Sequence, residues 1–166
     1  EQVVICSVDK DLSQCIRGEH IVLRDRMRNI TYDEAGVVAK FGVPPTSIPD
    51  YLALVGDSSD GYPGLPGWGS KSAAMVLARW EHLEAIPDDP LAWDVDVRGA
   101  GRLALTLRQG RDEAYLYRKL AILKLDSDAP GTVDDLAWNG VPRAPFEALC
   151  AELGFDSIPG RVHRWA

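Results

Sequence analysis

The apolar residues of this chain change their spacing near Ile30. Short β-branched runs at residues 3–8 and 21–23 predict two strands, the first of them buried, with a short helix at residues 12–16 between them. Beyond Ile30, apolar residues recur every three or four positions, which is the period of an amphipathic helix. The pattern therefore predicts two strands followed by a mostly helical body.

Start and stop residues refine the helices that this period predicts. Thr31 and Glu34 form a capping-box pattern at the start of the first one, and Gly42 is its predicted stop. Pro49 suits the first turn of the next helix, and Ser70 is the predicted cap of a helix that ends near residue 80. Further helices are predicted at residues 98–107, 111–122 and 145–153, with a brief extended piece at residues 123–125 and a last stop at Gly154.

Charge is unevenly distributed over the 166 residues. A net charge of −7 argues against a surface that binds polyanions throughout. Between Arg98 and Lys124, however, seven basic residues outnumber two acidic ones. Such a segment is either a face that follows a phosphate backbone or an ordinary solvated helix face, and the sequence leaves both interpretations open.

Three other features narrow the class of protein. No apolar run approaches the roughly 20 residues of a membrane span, so no membrane partner is expected, and no secretion leader is visible. Three cysteines without a CxxC pair favour reduced thiols in a cytosolic protein, and the scattered histidines argue against a zinc site. The strand pattern at the very start of the chain leads us to expect that it begins within a domain.

Two pairs of aspartates are candidate ligands for a hard divalent cation. Asp9 and Asp11 follow the first predicted strand, where alternation would point both side chains the same way, although an ordinary polar turn is favoured for this pair taken alone. Asp57 and Asp60 share a turn or a helix face. Carboxylates at a helix C-terminus oppose the helix dipole, and a bound cation would remove that cost, which favours metal ligation over a plain turn.

A glycine-rich segment follows the second pair directly. Its glycines permit positive φ and a close backbone approach, and it leads into a predicted helix whose free N–H groups can bind phosphate. The segment is typical of a helix-hairpin-helix that holds a nucleic-acid backbone without reading bases, and a tight loop between two helices is the simpler alternative. The candidate DNA-binding residues are Gly64, Gly67, Gly69, Ser70, Lys71 and Ser72.

These motifs stand in an order that closely resembles the 5′-nuclease family, which comprises the 5′→3′ exonuclease domain of bacterial DNA polymerase I and stand-alone bacterial flap endonucleases. The likeness runs from Val4 to Asp126 through DKDLSQ, FGVPPTSIPDYLALVGDSSDGYPGLPGWGSKSAA and LAILKLD. It implies an α/β, PIN-like fold for the parent protein. This chain would be its mostly α C-terminal portion, with two residual strands and a helix–three-turn–helix, SAM-like subdomain. Residues 1–30 would be a remnant of the catalytic domain and residues 31–166 the helical subdomain.

The resemblance also implies an activity and its ligands. The parent would be a structure-specific 5′ nuclease that hydrolyses DNA phosphodiesters in replication and repair, using two Mg²⁺ or Mn²⁺ ions. The ligands it implies are Asp9, Asp11, Asp57 and Asp60 for the divalent ions and the backbone carbonyls near Leu65, Trp68 and Ser70 for a potassium ion. Gly61-Tyr62 replaces the usual Asn-Ile, a change expected to alter turn packing more than chemistry.

The expected partner is DNA with a 5′ end or 5′ flap, bound without sequence preference by a monomer in the cytoplasm, at the nucleoid. An attached DNA polymerase would fit the resemblance as well. Family members carry their remaining acidic ligands upstream of DKD, and none of that sequence is in this chain, so the chain alone is expected to be inactive. Two alternatives are a duplex-DNA-binding module without activity and a protein-interaction domain on the same scaffold.

Overall fold

A computed structural model describes residues 2–125 and 131–166 of the protein. The chain divides into two compact units, Glu1–Leu125 and Asp126–Ala166. The boundary predicted at residue 30 falls inside the first unit and stays a prediction about the parent protein. Asp126, where the family likeness ends, lies outside the described residues.

A three-stranded sheet opens the first unit, in the order β1 (Val3–Cys6), β2 (Ile21–Asp25) and β3 (Ile30–Tyr32). The first two strands are parallel, and a short 3₁₀ helix, Asp11–Cys15, lies in the crossover between them. The second and third strands are antiparallel. The prediction of two strands was therefore one strand short.

The missed strand also displaces the start of the first helix. Thr31 belongs to β3 and pairs with Arg24, so it does not cap a helix. Helix α1 (Glu34–Phe41) begins after Asp33, whose side chain accepts a hydrogen bond from the Gly36 N–H. Both Thr31 and Asp33 are good caps in isolation, and the pairing with β2 decides between them.

The first strand is more exposed than its β-branched sequence predicts. Val3 is 55% exposed and Val4 47%, whereas Val22 in β2 is buried. β-branched residues favour an extended backbone, but burial depends on what packs against the strand. Among the described residues, no strand pairs with the outer edge of β1.

The helices follow the predicted order within a few residues. The first unit contains α1, α2 (Ile48–Val55), α3 (Ser70–Trp80), α4 (Ala100–Gln109) and α5 (Arg111–Ala121), and the second contains α6 (Arg143–Leu153). Gly42 and Gly154 end their helices in the left-handed conformation, as expected for such stops. Residues 123–125, predicted to be a brief extended piece, join no strand in the described chain, and their extended conformation stays a prediction.

Helix α2 lies at the centre of the first unit. Apolar residues surround its axis, which is typical of a fully buried helix, and it packs against α3 and α5. Its one carboxylate, Asp50, is buried but accepts hydrogen bonds from the Leu83 N–H and from Arg118. Because α2 is held on all sides, the residues that follow Val55 begin from a fixed position.

The second unit is organised around Trp165. Its backbone forms a parallel bridge with Val141, its ring packs edge-on against Phe146, and the Arg143 guanidinium lies 4.4 Å from its centre. None of the helices that the structure describes in either unit is both long and apolar enough to cross a membrane.

Candidate metal centre and nucleic-acid interface

Three of the four predicted ligands come together in the first unit. One carboxylate oxygen from each of Asp11, Asp57 and Asp60 lies within 4.8 Å of the other two. We call these three residues the acidic cluster. The separation suits a single ion, since oxygen ligands on opposite sides of Mg²⁺ or Ca²⁺ are roughly 4 to 5 Å apart.

A tight turn holds two members of the cluster. Helix α2 ends at Val55, and Gly56 continues the chain with a φ of +86°. Asp57 and Tyr62 then exchange two backbone hydrogen bonds, of 2.9 and 3.1 Å, which close the turn with Asp60 within it. The shared turn that the spacing of the two aspartates predicted is confirmed.

Asp9 does not lie on a strand beside Asp11, as the alternation of strand side chains predicted. Strand β1 ends at Cys6, and Asp11 opens the 3₁₀ helix, so the two side chains are not on one face of a strand. Asp9 is exposed and accepts a hydrogen bond from the Asp11 N–H at 3.1 Å. It lines, with Ser7 and residues of the turn, a cleft of about 320 Å³ beside the cluster. Its ligation of an ion stays a prediction.

Lys10 supplies the cation that the cluster contacts in this structure. Its ammonium lies 2.6 Å from Asp57 Oδ2. Burial alone would raise the pKa of Asp57, but Lys10 and the Ser59 N–H favour the ionised form, so its pKa lies below the usual range. Sequence reasoning missed Lys10, although its place between two candidate ligands was a signal.

Asp11 has the opposite electrostatic environment. Burial, followed by the adjacent Asp60 carboxylate and the charges of Asp9 and Asp57, raises the pKa of Asp11 to about 7. Its Oδ1 atom is buried and accepts no hydrogen bond from any described residue. An ionised, unpaired carboxylate oxygen is costly in a protein interior, and a divalent cation would remove that cost. The donors present therefore fit a hard metal ion.

Tyr62 is the second buried group near the cluster that lacks a partner. Its side chain is 4% exposed, and its hydroxyl makes no hydrogen bond within the described part of the chain. Burial, followed by the charges of Asp11, Asp57, Asp60 and Asp9, raises its pKa. Sequence reasoning gave this position only a packing role.

The glycine-rich segment crosses the end of α2 at very short range. A Cβ on Gly64 would lie 2.4 Å from the Gly56 N and 2.6 Å from the Leu54 O, and Gly64 has a φ of +70°. The Leu65 N–H then donates to the Leu54 carbonyl at 2.9 Å. Only glycine fits such a crossing, which locks the hairpin, residues 64–72, against the turn that holds Asp57.

The hairpin ends in the N-terminus of α3. Gly69, and not Ser70 as predicted, occupies the cap position, and Ser70 is the first helical residue. The Ser72 hydroxyl bonds to both the N–H and the carbonyl of Gly69, each at 3.0 Å. Ser72 thus stabilises the helix start. Earlier in the hairpin, the Leu65 carbonyl accepts a hydrogen bond of 3.1 Å from the Trp68 N–H.

Basic side chains surround this helix start. Lys71 and Arg98 line a cleft of about 480 Å³ together with Gly67 and Gly69, and a Cβ on Gly67 would lie 3.8 Å from the Arg102 Nε. Across the described residues, neither Lys71, Arg98 nor Arg102 forms an ion pair with a carboxylate. Three unpaired cations beside a helix N-terminus form a suitable surface for phosphate.

Other basic residues of the 98–124 segment are part of the interior framework. Arg111 binds the Leu83 carbonyl and the Asp88 carboxylate, at 2.9 and 2.6 Å. Arg118 binds Asp50 at 2.9 Å and also binds Glu84. Its hydrogen bond to Glu84 outweighs the effect of partial burial on that carboxylate, so the pKa of Glu84 falls to about 2. The segment is therefore not one uniform basic face, because these two side chains stabilise the fold.

Comparison with known proteins agrees with this fold and order of motifs. The family model for the 5′-3′ exonuclease C-terminal SAM fold matches residues 43–144. A 5′-3′ exonuclease of Aquifex aeolicus is 42% identical over 98% of this chain and 53% of its own length. The DNA polymerase I of Pseudomonas aeruginosa is 37% identical over 93% of this chain and 17% of its own length. The DNA polymerase I of Bacillus caldotenax is 36% identical over 95% of this chain and 18% of its own length.

Solved structures show the same fold at low identity. The bacteriophage T5 5′-exonuclease with bound zinc superposes with a TM-score of 0.60 and 16% identity over 72% of this chain and 42% of that one. A complex of the T5 flap endonuclease with DNA and metal ions superposes with a TM-score of 0.60 and 15% identity, over 72% of this chain and 42% of that one.

The chain belongs to the 5′-3′ exonuclease family, and its mostly helical body has the C-terminal SAM-like fold of 5′-nucleases. It spans about half of the stand-alone exonuclease and less than a fifth of the polymerases that it matches.

Proposed function

We propose that the protein containing this chain is a divalent-metal-dependent 5′ nuclease that cleaves DNA phosphodiesters at a 5′ end or 5′ flap. The observation that carries the proposal is the acidic cluster, whose three carboxylate oxygens lie within 4.8 Å of one another beside an unpaired buried oxygen of Asp11. Family membership supports the class of reaction. A T5 relative has been crystallised with divalent ions and another with DNA.

In this proposal Asp11, Asp57 and Asp60 hold one of two Mg²⁺ or Mn²⁺ ions, with Asp9 at the edge of the same cleft. Ions of this kind polarise the scissile phosphate, activate a water and stabilise the leaving oxygen. When the ion binds Asp57, it displaces the Lys10 ammonium, which can then bind a substrate phosphate. The other metal ligands come from sequence outside this chain.

The hairpin holds the duplex in the same proposal. Lys71, Arg98 and Arg102 bind phosphates beside the N-terminus of α3, without sequence preference. A potassium ion on the backbone carbonyls near Leu65, Trp68 and Ser70 would add to this grip. We also propose, from the polymerase I relatives, that a DNA polymerase domain or partner acts with it in replication and repair at the bacterial nucleoid.

A DNA-binding module without activity is the second candidate. It is favoured by the difference between the hairpin, whose cap and turn hydrogen bonds form without a ligand, and the cluster, which among the described residues brings three carboxylates together. This candidate predicts salt-dependent duplex binding that does not change when Mg²⁺ is removed.

The deciding experiment uses the intact protein and a 5′-flap duplex, with Mg²⁺, with Mn²⁺ and with EDTA. We expect cleavage only with metal, and we expect Asp57→Ala to reduce the rate by about 100-fold or more, because several kcal/mol of transition-state stabilisation depend on the metal. Asp156→Ala, at an exposed aspartate of the second unit, is the matched control and should cleave normally.

Two results would contradict the proposal. One is cleavage by Asp57→Ala at the wild-type rate, which would remove the metal-ligand role of the cluster. The other is duplex binding without any metal-dependent cleavage in the intact protein, which would favour the binding module.

A further inference from the structure

Tyr62 is fixed in position from two sides. Its backbone exchanges hydrogen bonds with Asp57, at 2.9 and 3.1 Å, so it lies directly opposite a member of the acidic cluster. Its ring stacks on Tyr117 with a centroid distance of 5.8 Å and an interplanar angle of 17°. A ring held in this way carries its hydroxyl to a defined place.

The Tyr62 hydroxyl can donate a hydrogen bond, and Asp11 Oδ1 can accept one. Each atom is buried, and neither has a hydrogen-bond partner among the described residues. The residues themselves are 4% and 8% exposed, and Asp11 contributes the largest of the carboxylate charges that act on Tyr62. A buried donor and a buried acceptor without partners are both energetically costly, so a native structure normally satisfies both.

A single water molecule placed between the two atoms would give each of them a partner. Buried waters typically bridge polar groups that direct contacts leave unpaired. We propose that Tyr62 is a positioning residue of the metal centre: its hydroxyl donates to a bound water, and that water donates to Oδ1 of Asp11. The bridge fixes the Asp11 carboxylate in one orientation before an ion arrives.

This inference rests on the proposed metal centre, and it goes further by assigning a role in that centre to the Tyr62 hydroxyl. Outer groups that orient a ligand typically change metal affinity without being ligands themselves. We therefore expect an effect on metal affinity and not on the capacity to cleave.

The test is Mn²⁺ binding to the intact protein, followed by the electron paramagnetic resonance of free Mn²⁺. Tyr62→Phe removes only the hydroxyl, and we expect it to weaken Mn²⁺ binding about tenfold. Tyr117→Phe is the matched control, because it keeps the stacked pair of rings and removes a hydroxyl from its half-buried partner. Cleavage by Tyr62→Phe should return to the wild-type rate at saturating Mn²⁺.

A double-mutant cycle with Asp11→Ala, which removes the acceptor oxygen, separates positioning from general packing. If Tyr62 acts through Asp11, Tyr62→Phe has no further effect on the remaining Mn²⁺ affinity once Asp11 is changed. Wild-type affinity in Tyr62→Phe, or an equal loss in the Asp11→Ala background, would overturn the inference. Failure of the proposed metal centre would give a different result. Asp57→Asn would then bind as much Mn²⁺ as the wild-type protein.

Discussion

The acidic cluster and the hairpin are neighbours in sequence but are built in opposite ways. The cluster joins Asp11, from the sheet crossover, to two aspartates that follow α2, and it brings like charges and an unpaired buried oxygen together. The hairpin is one continuous segment whose cap and turn bonds are local. The cluster is therefore stabilised by a bound cation, whereas the cap and turn hydrogen bonds of the hairpin form without a ligand. Among the described residues, Trp68 Nε1 is the one buried side-chain polar atom of the hairpin without a hydrogen-bond partner.

The difference predicts that the proposed cleavage and the proposed DNA binding can be changed separately. The hairpin contacts the end of α2 through Gly56 and Gly64, so the two sites share a rigid support, yet their side chains are distinct. Substitutions that keep the support should therefore affect one site and spare the other.

The largest expected effect separates the two sites directly. Asp60→Asn removes a ligand charge and should lower flap cleavage by about 100-fold or more while leaving duplex affinity within about twofold. Lys71→Met should do the reverse, weakening binding with little change in the rate at saturating DNA. The measurements are single-turnover cleavage and fluorescence anisotropy with the same substrate. Equal losses of both properties in either variant would show that the two sites do not act separately.

The shared support is tested by Gly64→Ala. The new Cβ would overlap the backbone of Gly56 and Leu54 at a positive φ, so we expect a loss of roughly 3 kcal/mol or more in the free energy of unfolding. Both sites should fail together. Gly101→Ala is the control, since its Cβ meets nothing within 4 Å inside α4, and it should gain up to about 1 kcal/mol. Urea denaturation measures both, and normal stability of Gly64→Ala would refute the close crossing.

The pH dependence of stability tests the burial of Asp11 and the charge repulsion that it meets in the cluster. The pKa of Asp11 is raised from 3.8 to about 7 in the folded protein, so between these values the folded state binds more protons than the unfolded state. Metal-free stability should therefore fall as the pH rises from about 4 to 7, by roughly 1 to 3 kcal/mol from this residue. Thermal unfolding at pH 5 and pH 8 measures it.

Two additions sharpen that experiment. Asp11→Asn should remove most of the pH dependence, because the amide does not ionise. Mg²⁺ should stabilise the protein more at pH 8 than at pH 5, since metal and proton compete for the same carboxylate. A stability that rises between pH 5 and pH 7 without metal would contradict the proposed environment of Asp11.

The smallest expected effect separates two kinds of arginine. Arg98→Ala should weaken duplex binding by about 1 kcal/mol and lower the salt slope by roughly one unit, because it removes one phosphate contact. Arg111→Ala should leave that slope unchanged and instead destabilise the fold, because Leu83, Ile86 and Asp88 lose their donor. Titrations at several salt concentrations, with unfolding curves, distinguish the two. An unchanged slope for Arg98→Ala would exclude it from the interface.

Local chemistry predicted most of the helices. Gly42 and Gly154 were recognised as stops because glycine tolerates the left-handed conformation that ends a helix. The errors arose where two local solutions compete. Thr31 and Asp33 can both cap a helix, and only the pairing of Thr31 with Arg24 across the sheet selects Asp33.

The candidate site was predicted to a similar extent. Asp57 and Asp60 lie six residues or fewer from the helix that positions them, so their turn could be inferred from the spacing. Asp9 was assigned a strand position, but the chain leaves the sheet at Cys6. The contact between Lys10 and Asp57 and the burial of Tyr62 depend on segments far apart in sequence, which no local pattern encodes.

The order of the helices and the family could be read from the amino-acid sequence, because the helix period and a specific motif are local properties. The fold was needed to show which aspartates meet, which arginines lack a carboxylate partner and which buried hydroxyls are unpaired. Burial and charge pairing depend on distances between residues that are far apart in the sequence, and folding sets those distances.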